Sequence, residues 1–187
     1  MIDFLAVLLG AALANNLVLD HLLGVGLAAA TTRKIEVAAG MAVTSGLVMV
    51  AASVLGYLVH AYVLSPGGYE HLQLLVFVLL ILAIVSAVDL YVRLRAPSVW
   101  ESYRVFLPLT VVNSGVLGAV LVTVRDGTSL WNALCLAAGL AAGFALVLVS
   151  LAAIRSRLEV ADVPAAFRGL PIALVSLGLM AMAALGF

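Results

Sequence analysis

The sequence predicts an all-α integral membrane protein: six transmembrane helices arranged as two inverted three-helix repeats, with helices 1 and 4 interrupted. Three observations predict it. First, 66% of the 187 residues are hydrophobic and only 10% are charged, against about 25% charged in a soluble domain. Such a chain cannot cover a water-facing surface, so lipid must be its main solvent. Second, the apolar residues fall into six stretches, each about as long as the roughly 20 residues a helix needs to cross the hydrocarbon core. Third, the two halves of the chain carry polar breaks in corresponding places.

Residues 37–63, 72–92, 105–124, 130–154 and 170–187 read directly as spans. The stretch 4–30 has the length, but Asn15, Asn16, Asp20 and His21 divide it into two apolar pieces. Pro108 and then Asn113-Ser114-Gly115 interrupt the fourth stretch more mildly. The connections are short, with turn signals at Ser65-Pro66-Gly67-Gly68 and Arg125-Asp126-Gly127. Tyr62, Tyr69, Trp100, Tyr103 and Trp131 fall near segment ends, the depth that amphipathic rings favour. The whole chain, 1–187, therefore reads as a single membrane domain. Met1-Ile2-Asp3-Phe4-Leu5 lacks a basic leader and reads as the start of a retained span.

Orientation follows from the cations. Arg33 and Lys34, then Arg93, Arg95 and Arg104, then Arg155, Arg157 and Arg168 lie in alternate connections, leaving only Arg125 for the other side. Eight of nine basic residues thus share one face, which the positive-inside bias assigns to the cytoplasm. Both termini are then expected on the outer, periplasmic side of a bacterial inner membrane. The zero net charge offers no argument for a nucleic-acid partner.

A weak duplication supports the two halves, which run roughly over 1–95 and 100–187. Residues 38–55 and 137–154 share seven of eighteen identities at an offset of 99. Asn15-Asn16-Leu17-Val18-Leu19 lies over Asn113-Ser114-Gly115-Val116-Leu117 at an offset of 98. Three segments per half is an odd number, so the second half must cross the bilayer upside down. Paired interrupted segments in inverted halves point to a midplane site, because irregular backbone survives at that depth only when buried in protein or facing a cavity.

The candidate midplane residues are Asn15, Asn16, Asp20, His21 and Asn113. In a helix, Asn16 and Asp20 would share a face with His21 beside them. An ionised Asp at the centre of a membrane helix costs about 2.5–3.5 kcal/mol. Asp20 therefore either pairs with His21 near a solvated interface or serves proton or ion passage. The asparagines and Ser114 either line a site or bond helices together. Asp89 and Arg93 read as a helix-end ion pair, and Gly139-x-x-x-Gly143 as a close helix contact. The single cysteine, Cys135, excludes an intrachain disulfide and reads as a packing residue. No nucleotide loop, metal-ligand cluster or nucleophile triad is apparent, and no catalytic residue is assigned.

Several stretches resemble the RnfA/NqrE family of membrane subunits from the Rnf and sodium-pumping NADH:quinone oxidoreductase complexes. They are Ala14-Asn15-Asn16-Leu17-Val18-Leu19 with Leu22-Leu23-Gly24, Phe106-Leu107-Pro108-Leu109, Asn113 with Val116-Leu117-Gly118, and Ala153-Ile154-Arg155 leading to Val160-Ala161-Asp162-Val163-Pro164 and Phe167-Arg168-Gly169. The resemblance covers essentially the whole chain and is closer on the Rnf side. It implies a subunit of a redox-driven, sodium- or proton-translocating complex, partnered by an RnfE/NqrD-like sister of opposite orientation and by the other subunits. It also implies a two-iron two-sulfur cluster shared between the sisters at mid-membrane, with one cysteine from each interrupted segment. Here those positions are Gly26 and Ser114. Glycine has no ligating atom and a hydroxyl is a poor substitute for the thiolates that hold such clusters. The expectation is a family member that binds no cofactor by itself and lacks the usual cluster. Two other readings stay open: a transporter or channel-like protein on the same fold, and a non-redox scaffold subunit.

Overall fold

A computed structural model of the chain describes residues 2–14, 16–32, 34–95 and 104–184. Asn15, Arg33, Trp100 and Tyr103, among the residues read above, lie outside them. Among the described residues every regular element is a helix. Helix α1 (Ile2–Leu9) runs into a π-turn (Gly10–Ala14), and α2 (Val25–Thr31) follows after a non-helical stretch. Helix α3 (Ile35–Val59) continues through a second π-turn (His60–Leu64) and a last helical turn (Ser65–Gly67). Helix α4 (Gln73–Arg95) comes next. The second half holds α5 (Phe106–Val111), α6 (Ser114–Asp126), α7 (Leu130–Leu158) and α8 (Leu170–Ala184).

Among the described residues, three helical stretches are individually long and apolar enough to cross a membrane: Ile35–Gly67, Glu70–Arg95 and Leu130–Leu158. Helix α8 is apolar over its 15 described residues, Leu170–Ala184. The first and fourth apolar stretches are each broken into two shorter pieces.

Helices α3 and α7 form the axis of the bundle and make its most extensive contact. Around this pair the neighbours are arranged in kind: α4 packs on α3 as α8 packs on α7, and α5 and α6 pack on α3 as α1 and the first π-turn pack on α7. The core between them contains Met41, Met49, Phe77, Leu140, Phe144 and Leu148, all essentially inaccessible. The outside is equally apolar. Helix α4 exposes Leu74, Leu75, Val78, Leu79 and Leu82, a patch that water would not tolerate and lipid would.

The close contact predicted for Gly139-x-x-x-Gly143 is present, and its partner is the first interrupted segment. A Cβ on Gly139 would stand 2.7 Å from the Leu8 carbonyl oxygen and 2.8 Å from Ala11 Cβ. A Cβ on Gly143 would lie 2.9 Å from both Ala12 Cα and Asn16 Nδ2. Small residues let the two backbones touch, which is how helices associate where lipid removes the hydrophobic drive.

Candidate functional site: the junction of two helix breaks

Each break is organised by one asparagine. Asn16 is buried, with 2% of its surface accessible. Its Nδ2 donates to the Ala12 carbonyl at 2.8 Å, while Oδ1 accepts from the amides of Val18 at 3.0 Å and Leu19 at 3.3 Å. The side chain thus supplies the partners that a helix would have supplied. Asn113 is the N-cap of α6, and its Oδ1 accepts from the Gly115 amide at 2.9 Å. Both asparagines accept from the amide two residues ahead. By this role Asn113 corresponds to Asn16, one residue away from the register of the internal repeat, which paired it with Asn15. Asn113 is also buried, and its Nδ2 has no hydrogen-bond partner among the described residues.

The two breaks meet. The Gly24 amide donates to Ser114 Oγ at 2.9 Å, across 90 positions of sequence. Gly24 precedes α2 with φ of 79°, a left-handed conformation that glycine adopts without penalty. The approach also needs the missing side chain, since a Cβ there would stand 2.9 Å from the Phe144 ring and 3.0 Å from Asn113 Oδ1. Gly118 of α6 likewise sits against Leu17 and Leu23 of the first break. Phe144 on α7 touches this junction from the core side, so the breaks are cemented by packing as well as by the hydrogen bond.

Asp20 and His21 behave differently from the helical reading. Residues 17–21 form turns, although the Asp20 amide still reaches the Asn16 carbonyl at 2.9 Å. The four-residue spacing therefore does not put Asn16 and Asp20 on one face: Asn16 points into the protein, while Asp20 and His21 are exposed. Their side chains approach at 3.7 Å, His21 Nε2 to Asp20 Oδ2. Beside them Leu22 has φ of 55° and is 66% exposed, an uncommon backbone state for a bulky residue.

Of the two remaining positions, Ser114 opens α6 and Gly26 lies in the first turn of α2. A Cβ on Gly26 would meet nothing within 4 Å. The residues present do not fit a thiolate-held cluster. Cys135 is buried in α7, about two helical turns from Gly143, and no group of three or more His, Cys, Asp or Glu side chains converges among the described residues. What the junction offers is a hydroxyl already accepting a backbone amide, a glycine and two amides. That set suits helix joining and polar solvation, and no electron-transfer step is derived from it. Gly26→Ala is expected to be neutral or to stabilise by up to about 1 kcal/mol, the difference in helix propensity. Ser114→Ala removes the acceptor of the buried Gly24 amide and is expected to cost about 1–2 kcal/mol. Thermal unfolding of both variants in mild detergent checks the contrast.

Arg155 ties the end of α7 back to the end of α2. Its Nη1 donates to the Ala29 carbonyl and, at 2.9 Å, to Thr32 Oγ1. A cation here meets the last carbonyls of a helix, which favour positive charge.

The chain is similar to known membrane subunits along its whole length. The family model described as "Rnf-Nqr subunit, membrane protein" matches residues 4–187. The chain is 38% identical over 187 residues to the A-type subunit of the ion-translocating oxidoreductase complex of Vibrio cholerae serotype O1, covering 100% of this chain and 97% of the relative. The subunits of the same name from Syntrophotalea carbinolica and Yersinia pseudotuberculosis are 41% and 40% identical with the same coverage. A match of this extent, over a membrane-type helical bundle, leaves one conclusion: the chain is a member of the Rnf-Nqr family of membrane subunits.

Proposed function

We propose that this chain is the A-type membrane subunit of an Rnf-like ion-translocating oxidoreductase complex and contributes no ligand to an iron–sulfur cluster. The carrying observation is the full-length similarity to subunits of that name, together with a junction whose side chains are wrong for iron. In this reading the chain crosses the bacterial inner membrane six times as two inverted halves, with the basic connections in the cytoplasm and both termini outside. The matched packing of α4 on α3 and α8 on α7 supports the two-fold arrangement, as do the paired breaks. Its partners are an RnfE/NqrD-like sister and the remaining subunits, and the chain holds no catalytic site of its own.

The residues then have structural roles with functional consequence. Asn16 and Asn113 solvate the broken backbone inside the bundle. Ser114 Oγ joins the start of α6 to the start of α2 at the places where the family resemblance implies cysteine. Asp20 and His21 form a titratable, exposed pair beside the first break and are the candidates for ion passage.

The test is biochemical. Purification of the native complex through this chain is expected to recover flavin- or iron–sulfur-containing partners. EPR of its membrane core is expected to give no two-iron two-sulfur signal that depends on this chain. A cluster signal lost on deleting this chain would overturn the ligand-free assignment. Recovery of the chain without redox partners, combined with ion flux in proteoliposomes holding only the two sister chains, would replace the complex-subunit reading with a transporter.

A further inference from the structure

The segment 159–169 holds the most specific part of the family resemblance, yet it lies away from the junction of breaks and the proposed function does not use it. In the fold it lines an open pocket of about 460 Å³ between the end of α7 and the start of α8, within the range of about 300–1,000 Å³ typical of ligand sites. Its wall carries Arg155, Glu159 and Arg168, with Leu158, Val163 and Ile172 as apolar lining. The loop is held in shape by its own bonds. Arg168 Nε donates to the Val163 carbonyl at 2.8 Å, and the Phe167 amide donates to the Pro164 carbonyl at 2.9 Å. Arg155 is fixed by its bonds to Ala29 and Thr32.

We propose that this pocket binds the phosphodiester headgroup of a membrane phospholipid. Two arginines line this one pocket, and guanidinium groups offer the charge and the planar N–H donors that phosphate oxygens accept. The Arg168 bond to Val163 uses only Nε of a group with five N–H donors, so the loop orients the cation without using up its capacity. Glu159 sets the selectivity. Glu159, the one carboxylate among the lining residues, weakens the pull of the arginines on an anion, and its repulsion is larger for a doubly charged phosphomonoester than for a singly charged phosphodiester. Glu159 can also accept from an ammonium or hydroxyl group on the far side of the headgroup. The apolar lining continues into α8, where acyl chains would lie. Basic pockets between membrane helices are a recognised setting for lipid headgroups. Lipid binding here requires only that the chain is embedded in a membrane.

The test uses the purified complex, washed free of lipid in mild detergent, with dihexanoyl phosphatidylglycerol and inorganic phosphate as separate probes. Thermal midpoints are followed by the reactivity of buried Cys135, read by mass spectrometry of its peptide. Phosphatidylglycerol is expected to raise the midpoint saturably. Arg168→Gln is expected to weaken that response about ten-fold, from loss of charge-assisted hydrogen bonds. Glu159→Gln is expected to tighten it by raising the net charge, and this keeps the proposal open to refutation if Arg168→Gln fails to assemble. Equal stabilisation by inorganic phosphate would overturn the proposal in favour of a soluble anion. No response to either probe, or an unchanged response in Glu159→Gln, would also overturn it. Failure of the redox-complex reading would appear separately, as missing partners with lipid binding intact.

Discussion

Gly143→Leu is expected to remove the native packing of the first interrupted segment, with a loss of about 3 kcal/mol or more. Overpacking a well-filled site typically costs about 1–3 kcal/mol, and this site lies at the unforgiving end. The atoms nearest a Cβ at 143 are Ala12 Cα, the Ala12 carbonyl oxygen and Asn16 Nδ2. Two of the three belong to backbone and cannot rotate away. A leucine would push the first π-turn off α7 and pull Asn16 from the Ala12 carbonyl, so the damage reaches the junction. For a chain of this size, about 3 kcal/mol corresponds to roughly 6–12 °C in Tm. Cys135, the single cysteine and a buried one, offers a direct readout through its thiol reactivity on heating. Ala142→Leu, at an exposed position one residue away, is the control and is expected to shift Tm little. An unchanged Tm in Gly143→Leu would mean that α7 and the first segment are not in backbone contact.

Asn16→Leu is the second large effect. The replacement has nearly the same size and shape, so packing is kept and three hydrogen bonds are lost. Leaving a buried amide or carbonyl unpaired costs about 1–3 kcal/mol, while side-chain hydrogen bonds in a membrane protein average nearer about 0.6 kcal/mol. A total of about 2–3 kcal/mol is expected, with faster hydrogen exchange at the Val18 and Leu19 amides. Asn113→Leu is expected to cost less, about 1 kcal/mol, in line with loss of an N-cap. Its Oδ1 serves one amide and its Nδ2 has no hydrogen-bond partner among the described residues. Equal losses at the two positions would show that the breaks are symmetric in energy as well as in place. A larger loss at Asn113 would point to a role for its Nδ2 outside this chain.

These two asparagines also show how far the site could be read from residues. The breaks themselves were legible, because Asn15-Asn16 and Asn113-Ser114 are polar runs inside apolar stretches that otherwise have no reason to stop. The Gly139 and Gly143 contact was legible too, since spacing by four on a helix has one geometric meaning. The relation between Asn16 and Asp20 was not. It assumed a helix through residues 16–20, and the chain leaves its helix before Asn16, so a spacing of four no longer implies a common face. The partner of Asn113 was displaced by one residue for a similar reason: alignment matches letters, whereas the structural match is set by which side chain reaches the amide two residues ahead. Asn15 lies outside the described residues.

By itself the sequence determined the solvent of this protein, the positions of its helices and the family to which it belongs. Those properties are sums over many residues, and hydropathy, charge placement and motif order report sums well. Only the tertiary structure decided that Gly24 and Ser114, 90 residues apart, are hydrogen-bonded neighbours, and that the loop 159–169 lines an open pocket together with Arg155. Both depend on how the helices pack, and the first depends also on the left-handed turn at Gly24. A single hydrogen bond of that kind is fixed by distances of a few tenths of an ångström, which no average over a sequence carries.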